Sequence, residues 1–370
     1  MTENLDPNIM YLEWRGSQFP NSSSAKFKAP AGSTIDWGDG TVETFDTDSP
    51  QVNTHTYNDG VDNHLIGISG VTSIGGSAFS GCSGLKSVVI PDSVTSIGGG
   101  AFSACRSLTS ITIPDNVTSI GNRAFYKCSS LTNVEIPDSV TSIGQETFSF
   151  CSSLTSVAIG GSVTSIGEEA FAHCSSLTSV KISDSVTSIG QSAFNNCKSL
   201  TSVVIPDSVT SIGGWAFYDC ASLTSVVIGN SVTLIGQQAF EGCSSLTSIM
   251  AFPATPPALS SDSLPSTIQS IYVQKSSAEA YKSASNWSSF ADKIVGNTTY
   301  LSFVRFNQAN KKYIDAKIVA SENRKISASQ LDIATQDDVL ELLLESGSVS
   351  MAYASESELY TDEVGKIYIL

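Results

Sequence analysis

Every cysteine of this chain falls on one 23-residue grid: Cys82, Cys105, Cys128, Cys151, Cys174, Cys197, Cys220 and Cys243. Phenylalanine keeps the same step three residues earlier, at Phe79, Phe102, Phe125, Phe148, Phe171, Phe194, Phe217 and Phe240. Ile74 to Ile235 and Leu85 to Leu246 follow the same interval. A fixed period of this length is the signature of a solenoid, in which each unit is one turn of a coil stacked on its neighbours. Chains built this way usually bind other molecules rather than transform them.

The second copy gives the unit as Val94-Thr-Ser-Ile-Gly-x-x-Ala-Phe-x-x-Cys-x-Ser-Leu108-Thr-Ser-Ile-Thr-Ile-Pro-Asp-Asn116. Leu108, Ile111 and Ile113 have the L-x-x-L-x-L spacing of leucine-rich repeats, with a short strand that points Ile111 and Ile113 inward and the residues between them to solvent. Pro114-Asp115 then turns the chain, because proline cannot donate to a continuing ladder and aspartate favours turns. Val117 and Ile120 return to the interior, Gly121 permits a bend, and Ala124-Phe125-x-x-Cys128 reads as one helical or 3₁₀ turn. About seven inward apolar groups cannot offset the ordering of 23 residues. A single coil should not fold alone, and stacking must cover its open faces.

The even number of cysteines invites a disulfide framework, but geometry argues against it. Equivalent side chains in a ladder point in parallel, whereas a bridge needs converging Cβ vectors. One thiolate per coil in a line cannot surround a tetrahedral zinc. Free, buried thiols acting as small apolar groups are expected, with no metal and no cofactor.

Val-Thr-Ser-Ile-Gly, Ala-Phe, Cys-Ser-Ser-Leu and Ile-Pro-Asp-Ser recur together and in order, and the unit closely resembles the BspA-like leucine-rich repeats of bacterial surface proteins, also found in some parasitic protists. The resemblance covers Val71 to about Ile294. It implies adhesion or recognition at a cell surface or outside the cell, with host matrix proteins or other cells as the kind of target. Ile268-Gln-Ser-Ile271-Tyr-Val273 repeats the strand pattern once more, and prolines replace the Phe and Cys before it in Phe252-Pro-Ala-Thr-Pro-Pro257, which marks a degenerate ninth coil. Ser276-Ser-Ala-Glu279 has the spacing of a capping box opening a short helix through Tyr281, and Trp287, Phe290 and Ile294 are expected to cover the last coil. The expected fold is thus a β-rich, α+β solenoid: a right-handed leucine-rich-repeat coil of eight 23-residue repeats plus a degenerate ninth, about 40 Å long, spanning 71–295 with its cap.

Residues 1–70 differ in composition, with ten acids and three bases against eleven and six in residues 71–250. Ile35-Asp-Trp-Gly-Asp-Gly-Thr41-Val, His55-Thr-Tyr57 and Leu65-Ile-Gly-Ile68 resemble a polycystic-kidney-disease-type (PKD-like) domain, which implies a β-sandwich. Its Asp-Gly pairs are hairpin-turn signals; Asp36, Asp39, Asp46 and Asp48 are the alternative, a calcium site, but they lack the loop spacing of a D-x-D-x-D-G motif. Residues 296–370 read as a small α+β domain of unknown type, with strands over Leu301–Phe306 and Lys366–Leu370. A helix over Val339–Leu344 starts near Thr335-Gln-Asp-Asp338 and ends at Gly347.

An enzyme is disfavoured. The three histidines are His55, His64 and His173; His55 fits strand packing, and His173 stands at a repeat position otherwise held by Ala104, Lys127 and Asp219, which marks a solvent-facing place. G-x-S-x-G, Walker A, dinucleotide-binding and H-E-x-x-H patterns are missing, so no catalytic residue is assigned. A net charge of −16 repels nucleic acid phosphates and anionic membranes. No apolar run approaches the ~20 residues of a membrane span. Met1-Thr-Glu-Asn-Leu-Asp lacks the features of a secretory signal, so either such a signal has been removed or the chain begins here, as a virion protein would.

The outward strand position between the two inward apolars reads Val89, Thr112, Glu135, Ala158, Lys181, Val204, Val227, Met250, Tyr272. Its last four members form a continuous apolar stripe, the expected contact site for a protein or glycan ligand, against the plainer reading that β-branched residues favour strands. Tyr126, Phe150, Trp215 and Tyr218 flank the Ala-Phe turns, as lids over neighbouring coils or as anchors. Of these, Trp215 and Tyr218 join the candidate ligand residues. The Thr-Ser ladders satisfy coil edges locally, with ice, glycan or O-glycan roles as the less favoured readings. The sequon Asn116-Val-Thr118 matters only in a eukaryotic secretory pathway. A monomeric adhesion or recognition protein is expected, with a phage or virion tail-associated recognition protein, or a spacer presenting flanking domains, as alternatives.

Overall fold

In a computed structural model of the chain the described residues are 5–15, 24–27, 33–44, 53–56 and 63–297, with the strand backbones of 300–307, 312–320, 324–325, 359–361 and 367–369. Asp46, Asp48, Tyr57 and the helix expected over Val339–Leu344 lie outside them. Leu301–Phe306 falls within a strand, Tyr300–Asn307, paired antiparallel with Lys312–Ala320, and Ile367–Ile369 pairs with Leu359–Thr361.

Residues 71–297 form a parallel β-solenoid. One ladder is built from the repeat strands in three registered runs: Leu85–Val89 with Ser110–Thr112, then Asn133–Ile136 to Ser179–Lys181, then Ser202–Ile205 to Ile294–Asn297. Equivalent residues of successive coils pair, as in Val204↔Val227↔Met250↔Tyr272. A second ladder of two-residue strands, from Ser96–Ile97 to Ala258–Leu259, carries the Val-Thr-Ser-Ile segments. Inside lie the expected residues, among them Leu108, Ile111, Ile113, Val117 and Ile120. Ladder phenylalanines stack from Phe79 to Phe240, with ring centroids 5.1–5.4 Å apart and planes within 7°.

The Ala-Phe-x-x-Cys segment is not a helical turn. Local bonds of the i→i−3 kind are present, such as Cys128 N–H to the Phe125 carbonyl at 3.2 Å. Alternate N–H groups point instead to the next coil, such as Phe125 N–H to the Thr147 carbonyl at 2.9 Å. This alternation needs a left-handed residue on each side of the Ala-Phe core. Ser77, Gly100, Arg123, Glu146, Glu169, Ser192, Trp215 and Gln238 take the first place; Gly81, Ala104, Lys127, Phe150, His173, Asn196, Asp219 and Gly242 take the second, all with φ between 52° and 78°. A helix cannot hold such residues, so tertiary bonding between coils overrides the local helical pattern.

From the second coil on, the glycine after each ladder isoleucine serves close approach rather than a bend. A Cβ on Gly190 would sit 2.6 Å from the Gly167 carbonyl carbon and 2.8 Å from the Glu168 nitrogen, so only glycine lets the coils touch there.

At the far end the array exceeds expectation by one strand. Ile294 does not simply cover the ninth coil: it pairs with Ile271, exactly one 23-residue step earlier, in the parallel strand Ile294–Asn297. Between them a 3₁₀ turn, Lys275–Ser277, leads into α1 (Ala278–Ser283). The expected capping box does not form, because α1 starts after Ser277 and has no side-chain cap bond. Tyr281 and Trp287 are fully buried, pack edge to face at 4.9 Å, and donate to the carbonyls of Pro253 (3.0 Å) and Pro257 (2.8 Å). The proline stretch thereby supplies acceptors for the cap.

At the near end, β1 (Ile9–Arg15) lies antiparallel between β6 (Asn63–Ser69) and β7 (Leu85–Val89), the first repeat strand. β3 (Thr34–Asp36) and β4 (Val42–Thr44) continue the sheet outward, and β2 (Ser24–Phe27) pairs separately with β5 (Asn53–Thr56). Glu13 of β1 accepts from Lys86 Nζ (2.8 Å) and Ser87 Oγ (3.1 Å). The open edge that a first repeat strand would present to solvent is thus covered by the segment preceding the repeats.

Two outcomes test this architecture. Gly190→Ala should destabilise by about 1–3 kcal/mol, since the clash is with backbone, as a lowered denaturant midpoint in urea unfolding followed by circular dichroism. Ala104→Gly, which installs the residue found at the same place in the first and last full coils, should raise stability by up to about 1 kcal/mol; a lower midpoint would contradict the role given to left-handed backbone.

Candidate functional site

The outer lane of the strand face is set by period-2 alternation: with Val203 and Ile205 buried, Val204 points outward. Val204, Met250 and Tyr272 are half-buried, and the tenth strand extends the lane with Val295, 43% exposed and in register with Tyr272. Val227 departs from expectation. It is 3% exposed, flanked in register on both sides by the half-buried Val204 and Met250. It supports the stripe from within and offers no contact surface. Val295 was missed in the sequence because only its 23-residue distance from Tyr272 marks it, in a segment without Phe, Cys or the Leu-Thr-Ser lead.

Trp215 and Tyr218 do not join that stripe. Both are half-buried on the turn side of the seventh coil, where Trp215 Nε1 donates to Gln238 Oε1 (2.8 Å) in the next coil. Tyr126 and Phe150 stand at the same turns in the third and fourth coils. Beside the strand face, threonine hydroxyls are engaged: Thr155 Oγ1 donates to the Thr132 carbonyl (3.0 Å) and Thr224 Oγ1 to the Thr201 carbonyl (3.1 Å). The parallel ladder at Thr95 to Thr233 does the same. These rows satisfy coil edges, as local hydrogen bonding predicts.

The thiols are buried and unbridged. Each from Cys105 to Cys243 donates to the carbonyl of the ladder phenylalanine one coil back, at 3.0–3.3 Å. Burial pushes Cys82, Cys128 and Cys174 up to about 12 and drives Cys105, Cys151, Cys197 and Cys220 well above the ordinary thiol range. Such thiols are neither nucleophiles nor ready metal ligands.

In the N-terminal unit His55 stacks on buried Trp37 at 4.7 Å and meets Asp39 at 2.6 Å. The Thr41 hydroxyl, then His55, hold the Asp39 carboxyl well below the usual carboxylate range, although burial opposes them. Asp36 accepts from the Gly38 N–H at 3.0 Å and Asp39 from the Thr41 N–H at 3.0 Å, so both carboxylates close turns. Among the described residues no group of three or more His, Cys, Asp or Glu stands where it would hold a metal ion, and no helix is long and apolar enough to cross a membrane. His173 is half-buried against Phe150 rather than freely solvated, with centroids at 4.2 Å.

The stacked parallel coils, L-x-x-L-x-L strands and inward Phe and Cys ladders define a leucine-rich-repeat solenoid with no assembled catalytic group among its described residues. A family profile described as BspA type leucine rich repeat region, in six copies, matches residues 61–178 and 164–284. These stretches cover more than half of the chain, which belongs to this family. Among solved structures, the chain is similar to a leucine-rich repeat protein from Bacteroides ovatus (23% identity, 66% of this chain and 84% of that chain, TM-score 0.42). It is also similar to one from Eubacterium ventriosum (31%, 43% of each chain, TM-score 0.40) and to a leucine rich cell surface protein from Faecalibacterium prausnitzii (28%, 56% and 78%, TM-score 0.27). No curated protein matches the chain.

The thiol ladder gives a pH dependence of known sign. Unfolded thiols lose their protons near the model-compound value of 9.0, whereas the folded ones hold them to about 12. The folded state therefore binds more protons in that window, and stability is full below about pH 9 and is lost as pH rises toward 12. The urea midpoint should fall between about pH 8 and pH 10.5, and iodoacetamide at about pH 8 should label the thiols only after denaturation. Rapid labelling of the native protein would contradict the dry core.

Proposed function

We propose that the chain is a non-enzymatic recognition or adhesion protein of the cell surface or the extracellular space, which binds a protein or glycan ligand through the strand face of coils six to ten. Family membership supports the broad reading, since repeats of this kind present a rigid lane of side chains rather than a reactive group. The observation that carries the site is the register of Val204, Met250, Tyr272 and Val295 along one outer lane, supported from within by Val227. Apolar side chains held in a row by backbone pairing lose little entropy on binding, and a Tyr and a Met give that row both an aromatic anchor and an adaptable neighbour. Trp215 and Tyr218 are candidates for a secondary contact on the turn side.

The test uses the full chain against panels of extracellular-matrix proteins and glycans. Val204→Asp combined with Tyr272→Asp should weaken capture of any ligand found by at least about tenfold, while the melting temperature changes little, because both positions are partly solvated. Val227→Asp should instead lower the melting temperature, as a buried unpaired carboxylate does. Undiminished capture by the Val204/Tyr272 variant would remove the strand face as the site.

A further inference from the structure

The turn side carries a feature that the strand-face reading does not use. In coils two to six, the positions two and four residues after each ladder phenylalanine hold Ala104, Lys127, Phe150, His173, Asn196 and Arg106, Ser129, Ser152, Ser175, Lys198. Those lanes contain four groups able to carry positive charge and no carboxylate, in a protein whose net charge is −16. Arg106 and Lys198 are exposed, and Lys127 and His173 half-buried. The charge of Lys198 is felt at the His173 imidazole, which burial first of all pushes down.

Aromatic rings organise this strip. Tyr126 meets Phe150 edge-on at 5.7 Å, and Phe150 stacks on His173. Lys127 Nζ lies 4.9 Å from the Tyr126 centroid and 5.5 Å from that of Phe150, and Arg123 packs 5.9 Å from the Tyr126 ring while paired with Glu146. The backbone at Lys127, Phe150 and His173 is left-handed, with φ of 59°, 62° and 61°. Such a conformation costs about 1–2 kcal/mol for a residue with a side chain, and the same place is glycine in the first and eighth coils, Gly81 and Gly242. Three bulky side chains are thus kept where glycine would be easier, and Phe150 remains 37% exposed.

We propose that this strip is a second docking surface, for an extended acidic peptide segment of a partner protein. The chemistry selects carboxylates: the exposed cations Arg106 and Lys198 flank the Lys127 ammonium and the His173 ring along these lanes. Neutral sugars are a poorer match. The ring faces that would stack on them are taken by each other and by Lys127, and Ser129, Ser152 and Ser175 already donate to carbonyls of the preceding coil. Dense polyanions such as nucleic acid are opposed by the field of the whole molecule. Arg106 and Lys198 stand four coils apart, about 21 Å at the spacing of the phenylalanine stack, which an extended peptide of about six or seven residues spans.

The experiment measures fluorescence anisotropy of a labelled peptide of alternating Glu and Gly, about ten residues long, against the full chain at low ionic strength. Binding is expected, weakening as salt rises toward physiological strength. Lys127→Glu and Phe150→Gly should each weaken it by about tenfold or more, and Phe150→Gly should leave the melting temperature unchanged or raise it. If Phe150→Gly unfolds the protein, the charge-reversal variant Lys127→Glu decides alone. Lack of binding by the native chain, or binding that Lys127→Glu leaves intact, overturns the proposal. So does a lower melting temperature with intact binding in Phe150→Gly, which makes the ring a lid. Polygalacturonate binding in place of the peptide would make the strip a glycan site. Both results are independent of the strand-face variants.

Discussion

The carbonyl oxygen of each inner ladder phenylalanine accepts two bonds: at Phe102, one from Cys105 N–H of its own coil (3.2 Å) and one from the Cys128 thiol of the next coil (3.1 Å). That shared acceptor ties the closure of a coil to the presence of its neighbour. The Phe rings stacked beside it, the alternate N–H groups reaching forward from the turn and the glycine that admits the preceding coil all act on the same interval. A coil removed from the stack would leave an unpaired thiol, unpaired N–H groups and an open ring face together, which is why the unit is cooperative only as an array.

The same constraint explains how the ends are managed. A parallel ladder has two raw edges. At the start, β1 turns the edge antiparallel and fixes it with Glu13 on Lys86 and Ser87. At the finish, α1 and Trp287 cap the last coil, and the prolines that cannot donate to a ladder serve as carbonyl acceptors for Tyr281 and Trp287. With core and edges committed, only outward side chains are free to differ from coil to coil. The two lanes proposed for recognition, an apolar one on the strand face and a basic aromatic one on the turn side, are made of such side chains.

Much of this was legible in the chain. Cys and Phe spacing gave the coil, its inward set and the unbridged state of the thiols, because a strict period leaves equivalent atoms in parallel lines. Among the readings that failed, two did so for reasons that lie between coils. Ala-Phe-x-x-Cys has local helical spacing, yet its N–H groups alternate between the same coil and the next, which forces left-handed residues that only Gly81, Gly100 and Gly242 hint at. Val227 shares the outward phase of Val204 and Tyr272, but outward phase alone does not ensure exposure for a side chain flanked in register on both sides.

By itself the sequence determined periodicity, the identity of the buried ladders and the acidic surface, since these depend on residue type and interval alone. Only the tertiary structure decided that β1 inserts beside the first repeat strand, that Ile294 opens a tenth strand, and that Lys127 lies against the Tyr126 and Phe150 rings. Those outcomes depend on pairing between segments far apart in the chain and on backbone handedness within each turn. Neither is written in the order of residues, because an edge can be covered by any segment with a matching alternation of side chains.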